Sequence, residues 1–208
     1  MPVKPSPSAS PKLRGRATSG ATRSPLDRSD WIALGLSTLA KSGVEGLRVE
    51  LLAKAHGVTK GSFYWHFRDR QDLLTAILEH WKEGRIQDID KVTTSIPGKE
   101  HEQLHVAIDV YGASRNRKGM AVELAIRDWA RHDPFAAKAV EAVDLHRLER
   151  THKLFIGAGY SDQDAKSRSL LLYACVFGLS LMRYDHFDEN LDGLKAKISG
   201  IILPLPHQ

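Results

Sequence analysis

The sequence predicts an all-α chain, with small helices first and long helices after. Three observations carry this. From Pro25 onward, apolar residues recur at the three- and four-residue spacing that places them on one helical face. No run shows the sustained period-2 alternation of a half-buried strand. Capping residues such as Asp69, Asp133 and either Ser161 or Asp162 precede periodic segments, and glycines such as Gly43, Gly57 and Gly157 close them.

The first helix is expected over 29–42, with Ile32, Leu36, Leu39 and Ala40 on its inner face and Gly43 as its stop. A short second helix covers 49–56, with Leu52 and Ala53 inward and Gly57 as its stop. Residues 58–62 form a tight turn into a third helix that ends near Phe67. Asp69, with Asp72 three residues later, caps a long fourth helix over 70–91, lined by Leu73, Leu74, Ile77, Leu78 and Trp81. Pro97-Gly98 breaks the pattern. Further helices are expected at 100–115, 121–132, 134–156, 162–187 and 189–201, with Pro134 after Asp133 in the favoured N1 position. No internal repeat is visible. The domain reading is a polar tail (1–24), a first unit (25–72) and a larger helical unit (73–208).

Composition excludes several classes. A chain of 208 residues with 42% hydrophobic and 26% charged residues is long and apolar enough to bury a core. Its one cysteine, Cys175, allows no intramolecular disulfide and no cysteine-built zinc site, and it is expected to be inert in an apolar helix. The longest uncharged apolar run, 170–182, falls short of the roughly 18–20 residues a spanning helix needs. The basic N-terminus lacks the apolar stretch of a secretory signal. These features fit a cytoplasmic protein without membrane attachment.

Charge is distributed unevenly. Residues 1–85 hold 14 Lys and Arg against 8 Asp and Glu, whereas residues 86–208 hold 16 against 17. An anionic partner is therefore expected for one end only, nucleic acid or an anionic membrane surface. Residues 1–24, with four prolines, five serines, five basic residues and no acid, are expected to be disordered. They read either as a solubilising tail or as a basic arm reaching a phosphate backbone.

The informative stretch is 47–74. Two short helices joined by a turn at a glycine form the helix-turn-helix pattern, which helical bundles also contain by chance. Here Thr59, Lys60, Gly61 and Ser62 place small, polar and cationic groups at the start of the second short helix, the end that meets base edges in a major groove. Phe63 and Phe67, four apart, share an inner face. Tyr64, Trp65 and His66 remain on other faces, an arrangement that calls for a partner to cover them.

At these residues the chain resembles the TetR family of bacterial transcriptional regulators. The resemblance rests on Leu52-Ala53, Gly57-Val58-Thr59, Lys60-Gly61-Ser62, residues 63–67, Asp69-Arg70 and Leu73-Leu74, and covers about residues 28–78. It implies a three-helix DNA-binding unit, a linking fourth helix, and a larger helical unit that binds a small molecule and dimerises. Most members are ligand-relieved repressors. By position it implies that Lys60, Gly61 and Ser62 meet DNA, and that Tyr64, His66 and Arg70 contact phosphate. Gly61 admits close approach of the backbone. Arg48 stands where the family often has a capping Thr; Arg caps poorly but pairs well with phosphate. Trp65 reads equally as a wedge against the sugar-phosphate backbone or as half-buried packing.

The larger unit is expected to hold a pocket between its helices. Trp81, Tyr111, Trp129, His132, His146, His152 and Tyr173 are candidate lining residues, each with an apolar body and a polar tip. Residues 170–182, apolar nearly all round, are expected to be covered on more than one side, which a dimer interface explains and a central core helix would too. Leu171, Leu172, Phe177 and Leu181 are its candidate interface residues, and the resemblance also puts dimerisation on 162–201, where Gly178 and Ser180 permit close helix approach. His101 and His105 lie one turn apart, but a third metal ligand is not evident. No cofactor is implied. No phosphate-cradling loop or activated nucleophile supports an enzyme. The expected function is a ligand-responsive regulator, most simply a repressor, that binds a palindromic double-stranded operator as a homodimer and is released by a small molecule. The alternative is a basic helical adaptor that binds protein or an anionic surface without reading sequence.

Overall fold

A computed structural model describes residues 26–94, 96–112 and 117–204, with the side chains of 109–112 and 117–118 left out. The expected tail (1–24) and the Tyr111 side chain lie outside the described residues. Among those residues the chain is entirely helical: α1 (Arg28–Ser42), α2 (Val49–His56), α3 (Lys60–Tyr64), α4 (Arg70–Thr93), α5 (Glu100–Gly112), α6 (Arg117–Ala130), α7 (Pro134–Gly157), α8 (Asp162–Leu181) and α9 (Leu191–Ile202). A single 3-10 turn, Val44–Gly46, joins α1 to α2.

Local chemistry sets most of the helix starts. The Asp27 carboxylate accepts from the Asp30 N–H at 2.8 Å while the Asp30 carboxylate accepts from the Asp27 N–H at 2.9 Å, so two donors without helical partners satisfy each other's residues. Asp69 accepts from the Asp72 N–H at 2.9 Å and opens α4. Asp133, Ser161 and Asn190 do the same for α7, α8 and α9. Helix α6 begins at Arg117 and ends at Ala130 rather than spanning 121–132, and α4 runs on to Thr93. Two further expected ends move, each for a local reason. Helix α3 stops at Tyr64 because Asp69 must be extended (φ −159°, ψ −178°) to cap α4, and the intervening residues tighten into a turn that ends with Phe67 N–H on the Phe63 carbonyl at 3.0 Å. Helix α8 stops at Leu181 rather than Phe187: the apolar run ends at Met182, and the exposed residues after it lead to Asn190, whose side chain caps α9.

Helix α1 packs on α4 and, more extensively, on α6, while α2 packs on α1 and α3; α7 runs along α4 and carries α5, α6 and α8 on its other sides. Gly35 is where α1 and α4 touch most closely: a Cβ there would lie 2.4 Å from Ile77 Cδ1. One hydrophobic cluster runs from Trp31 and Phe63 through Leu73, Ile77 and Trp81 to Ile126, Trp129 and Val143, across the expected boundary at residue 72. A second gathers Leu104, Ile108, Leu154, Phe155, Leu172, Val176 and Ile202 from α5, α7, α8 and α9. Trp31, outside the predicted inner face of α1, is fully buried, whereas Leu36 and Ala40 are only partly covered.

Buried charge also orders the larger unit. Glu123 on α6 receives both amino groups of Arg147 on α7, at 2.9 and 3.0 Å. Arg127 reaches the same carboxylate at 2.9 Å, grips Asp144 and lies 4.0 Å over the Phe177 ring. Two cations and two anions thus neutralise one another between α6 and α7.

Two stability effects are expected. Phe63→Ala empties a fully buried site between aromatic rings and is expected to lower the unfolding free energy by about 3–5 kcal/mol in denaturant titration. Arg147→Met leaves the buried Glu123 carboxylate with Arg127 as its remaining cation, at a cost of up to about 3–5 kcal/mol, and adding Glu123→Leu is expected to recover a large part of it.

Candidate functional site

The helix-turn-helix is built by a left-handed corner. Gly57 has φ 66° and ψ 28°, a conformation that side chains with a Cβ resist, and its N–H returns to the end of α2. Thr59 is extended and caps α3, its Oγ1 accepting from the Ser62 N–H at 3.3 Å. The orientation of α3 follows from its one buried residue. Phe63 meets Trp31 edge-to-face at 5.3 Å and stacks on Phe67 at 5.2 Å. That contact turns Thr59, Lys60, Gly61, Tyr64 and Trp65 outward.

Each predicted residue takes a definite place. Tyr64 is 57% exposed and Trp65 86% exposed, so the half-buried reading of Trp65 does not hold within the chain. Large, nearly bare aromatic rings on a surface mark a face that a partner covers. A Cβ at Gly61 would meet only Thr59 Oγ1, at an ordinary 3.7 Å. The chain's own packing therefore makes no demand for glycine there, and the space lies on the outer side. The Ser62 hydroxyl donates to the Thr59 carbonyl at 2.8 Å and keeps acceptor lone pairs. His66 is half-buried beside Asp27. Arg48 is exposed and makes no capping bond to α2.

Two features were not legible beforehand. Arg70 donates from Nε to the Leu47 carbonyl at 2.6 Å and from a terminal nitrogen to the Val44 carbonyl at 2.8 Å, so its guanidinium ties α4 to the α1–α2 connection. The ion that was expected to meet a phosphate is engaged by the main chain. Lys60 Nζ donates to Glu50 Oε1 on α2 at 2.9 Å, and that bond holds the Glu50 carboxyl below the usual carboxylate range. A contact between residues ten apart on different helices has no periodic signal in the sequence.

The larger unit encloses a cavity of about 700 Å³ between α4, α5, α6, α7, α8 and α9. Its wall is apolar at Ile108, Leu124, Leu172, Val176 and Ile198, with Arg85, Lys91 and Lys195 as cations and Glu123–Arg147 within the lining. Cys175 also faces it. Of the residues predicted to line a pocket, Tyr173 does so. Trp81 and Trp129 are buried in the cluster shared with α1, and His132 is exposed after α6. His146 pairs with Asp90 and His152 with Asp162, each at 2.9 Å.

The outward face of α8 carries Leu170, Leu171 and Leu181 at 62, 41 and 69% exposure, with open space at Gly178. Leu172 and Phe177, expected at an interface, point the other way, toward the chain's own interior and cavity. His101 and His105 have ring centroids 5.2 Å apart, and among the described residues no group of three or more metal-binding side chains forms. No helix among them is long and apolar enough to cross a membrane.

The family model for bacterial regulatory proteins of the tetR family matches residues 32–77. The chain is 36% identical over 162 residues to the transcriptional regulator AcuR of Cereibacter sphaeroides, covering 74% of this chain and 73% of that protein. It is 38% identical over 52 residues to the HTH-type transcriptional regulator AcrR of Shigella flexneri, a match of 25% of this chain and 24% of the relative. Among solved structures, a transcriptional regulator from Rhodococcus sp. Rha1 superposes with TM-score 0.68 at 20% identity over 86% of this chain and 94% of its own. SmeT, the repressor of the Stenotrophomonas maltophilia multidrug efflux pump SmeDEF, gives 0.59 at 19% identity over 86% and 87%. With the helix-turn-helix, the fold and the AcuR match in agreement, this chain belongs to the TetR family of bacterial transcriptional regulators.

Proposed function

We propose that the protein is a ligand-responsive repressor that binds a palindromic operator as a homodimer and leaves it when a small molecule fills the cavity. The observation that carries the DNA-binding part is the outer face of α3. Lys60, Gly61, Tyr64 and Trp65 stand exposed on it, while Phe63 alone holds the helix to the core. Lys60 and the space at Gly61 meet base edges; Arg48, Thr59, Tyr64, Trp65 and His66 follow the backbone on either side. Arg70 supports this face by fixing the α1–α2 connection.

Dimerisation is assigned to α8 and α9. The apolar residues Leu170, Leu171, Leu181 and Ile201 are exposed along them, and Gly178 admits a second helix at short range. A two-fold dimer sets two copies of α3 about 34–36 Å apart, on successive major grooves. Release follows from the cavity's position. Glu123 on α6 and Arg85 and Lys91 on α4 line it, and both helices continue into the cluster that holds α1. An effector that prefers a different spacing of these helices shifts the population away from the DNA-binding arrangement. The repressor role named for SmeT accords with this direction of response.

Duplexes selected by the protein from a randomised library are expected to contain an inverted repeat. Affinity for them should fall with salt at a log–log slope of roughly −0.9 per neutralised phosphate, read by fluorescence anisotropy. Selection that yields no shared sequence overturns the operator reading. Leu171→Glu and Leu181→Glu are expected to give monomers in light scattering with an unchanged circular-dichroism spectrum; an intact dimer moves the interface off α8.

A further inference from the structure

Glu50 is a carboxylate on a face otherwise read as cationic. It lies in the first turn of α2, exposed, with its Oε1 on Lys60 Nζ at 2.9 Å. Arg48 also acts on it electrostatically, so this anion feels two cations of the proposed DNA contact. An exposed pair of this kind contributes little to folding, and a negative charge facing a polyanion weakens binding. Its effect must therefore be sought in what Lys60 is free to do.

We propose that Glu50 is a specificity-determining residue that withholds Lys60 from arbitrary phosphates and presents it to a base edge. This rests on the DNA-binding reading above. A lysine on its flexible stem pairs with any phosphate in reach. With Glu50 in place, a phosphate that approaches Lys60 also meets the carboxylate's charge and is repelled by it, whereas a neutral base edge is not. An ammonium has three donors. In the groove, Lys60 keeps one on Glu50 and gives another to an acceptor such as guanine O6 or N7. The carboxylate thus penalises non-specific binding more than specific binding, the form that discrimination against wrong partners takes. A glutamate is ordinarily ionised at neutral pH, and the Lys60 bond holds the Glu50 carboxyl lower still.

The test uses the full-length chain, a duplex it selects from a random library, and a scrambled duplex of the same composition, titrated by anisotropy across a salt series. Glu50→Gln keeps the shape and removes the charge. It is expected to tighten scrambled-duplex binding, steepen its salt slope by roughly one ion, and lower the selected-to-scrambled ratio by about 5- to 10-fold, a loss on the scale of 1 kcal/mol. In a Lys60→Gln background the same change should leave the ratio unmoved, since additivity fails where two residues act together. An unchanged ratio in Glu50→Gln overturns the proposal. So does an equal effect with and without Lys60, which makes Glu50 a general repulsive charge. Loss of selected-duplex binding alone overturns it as well. If the parent chain selects no sequence, the operator reading fails instead, a result read before any variant is made.

Discussion

The outer face of α3 depends on Phe63. It is the one buried residue of a five-residue helix, set between Trp31 and Phe67. A helix of one and a half turns has no stability of its own. Its orientation comes from a single apolar anchor, from the Thr59 cap and from the left-handed Gly57 corner before it. Rotate that anchor and Lys60, Gly61 and Tyr64 would leave the outer face together. The aromatic contact therefore fixes the direction in which every candidate DNA contact points.

The same contact connects the head to the rest of the molecule. Trp31 and Phe63 lie in a cluster that continues through α4 to α6 and α7 without a gap. Close packing of this kind transmits displacement because interiors compress little. The cavity borders two of these helices, at Arg85 and Lys91 on α4 and at Glu123 on α6. The charges around Glu123 and Arg147 are compensated within the protein, so the helices flanking the cavity are held by specific pairs rather than by apolar contact alone. A bistable arrangement needs such pairs, since they break discretely.

Electrostatics at the head are more particular than a positive surface. Arg70 is committed to two carbonyls, and Lys60 to Glu50. Each pairing restricts a cation that a charge count treats as free for phosphate. Residual attraction to DNA then rests on fewer, better placed groups, which favours discrimination over raw affinity.

The order of the helices, their caps and the helix-turn-helix were legible because they depend on neighbours in the chain. Asp69, Asp133 and Ser161 cap within three residues, and Gly57 supplies a local conformation. The inward turn of Phe63 and Phe67 followed from their four-residue spacing. The likeness at 47–74 then pointed to DNA. Contacts between helices were not legible. The spacing on α8 marked an apolar run, yet only the packing separates the outward Leu171 and Leu181 from the inward Leu172 and Phe177. The aromatic and histidine candidates for the pocket were chosen by type, and histidines of that type pair instead with Asp90 and Asp162. The sequence by itself determined which segments are helical and which pair forms the helix-turn-helix, since both are short-range properties. Tertiary structure decided where the cavity lies and which cations are already engaged, because those facts depend on residues far apart in the chain and brought together only by the fold.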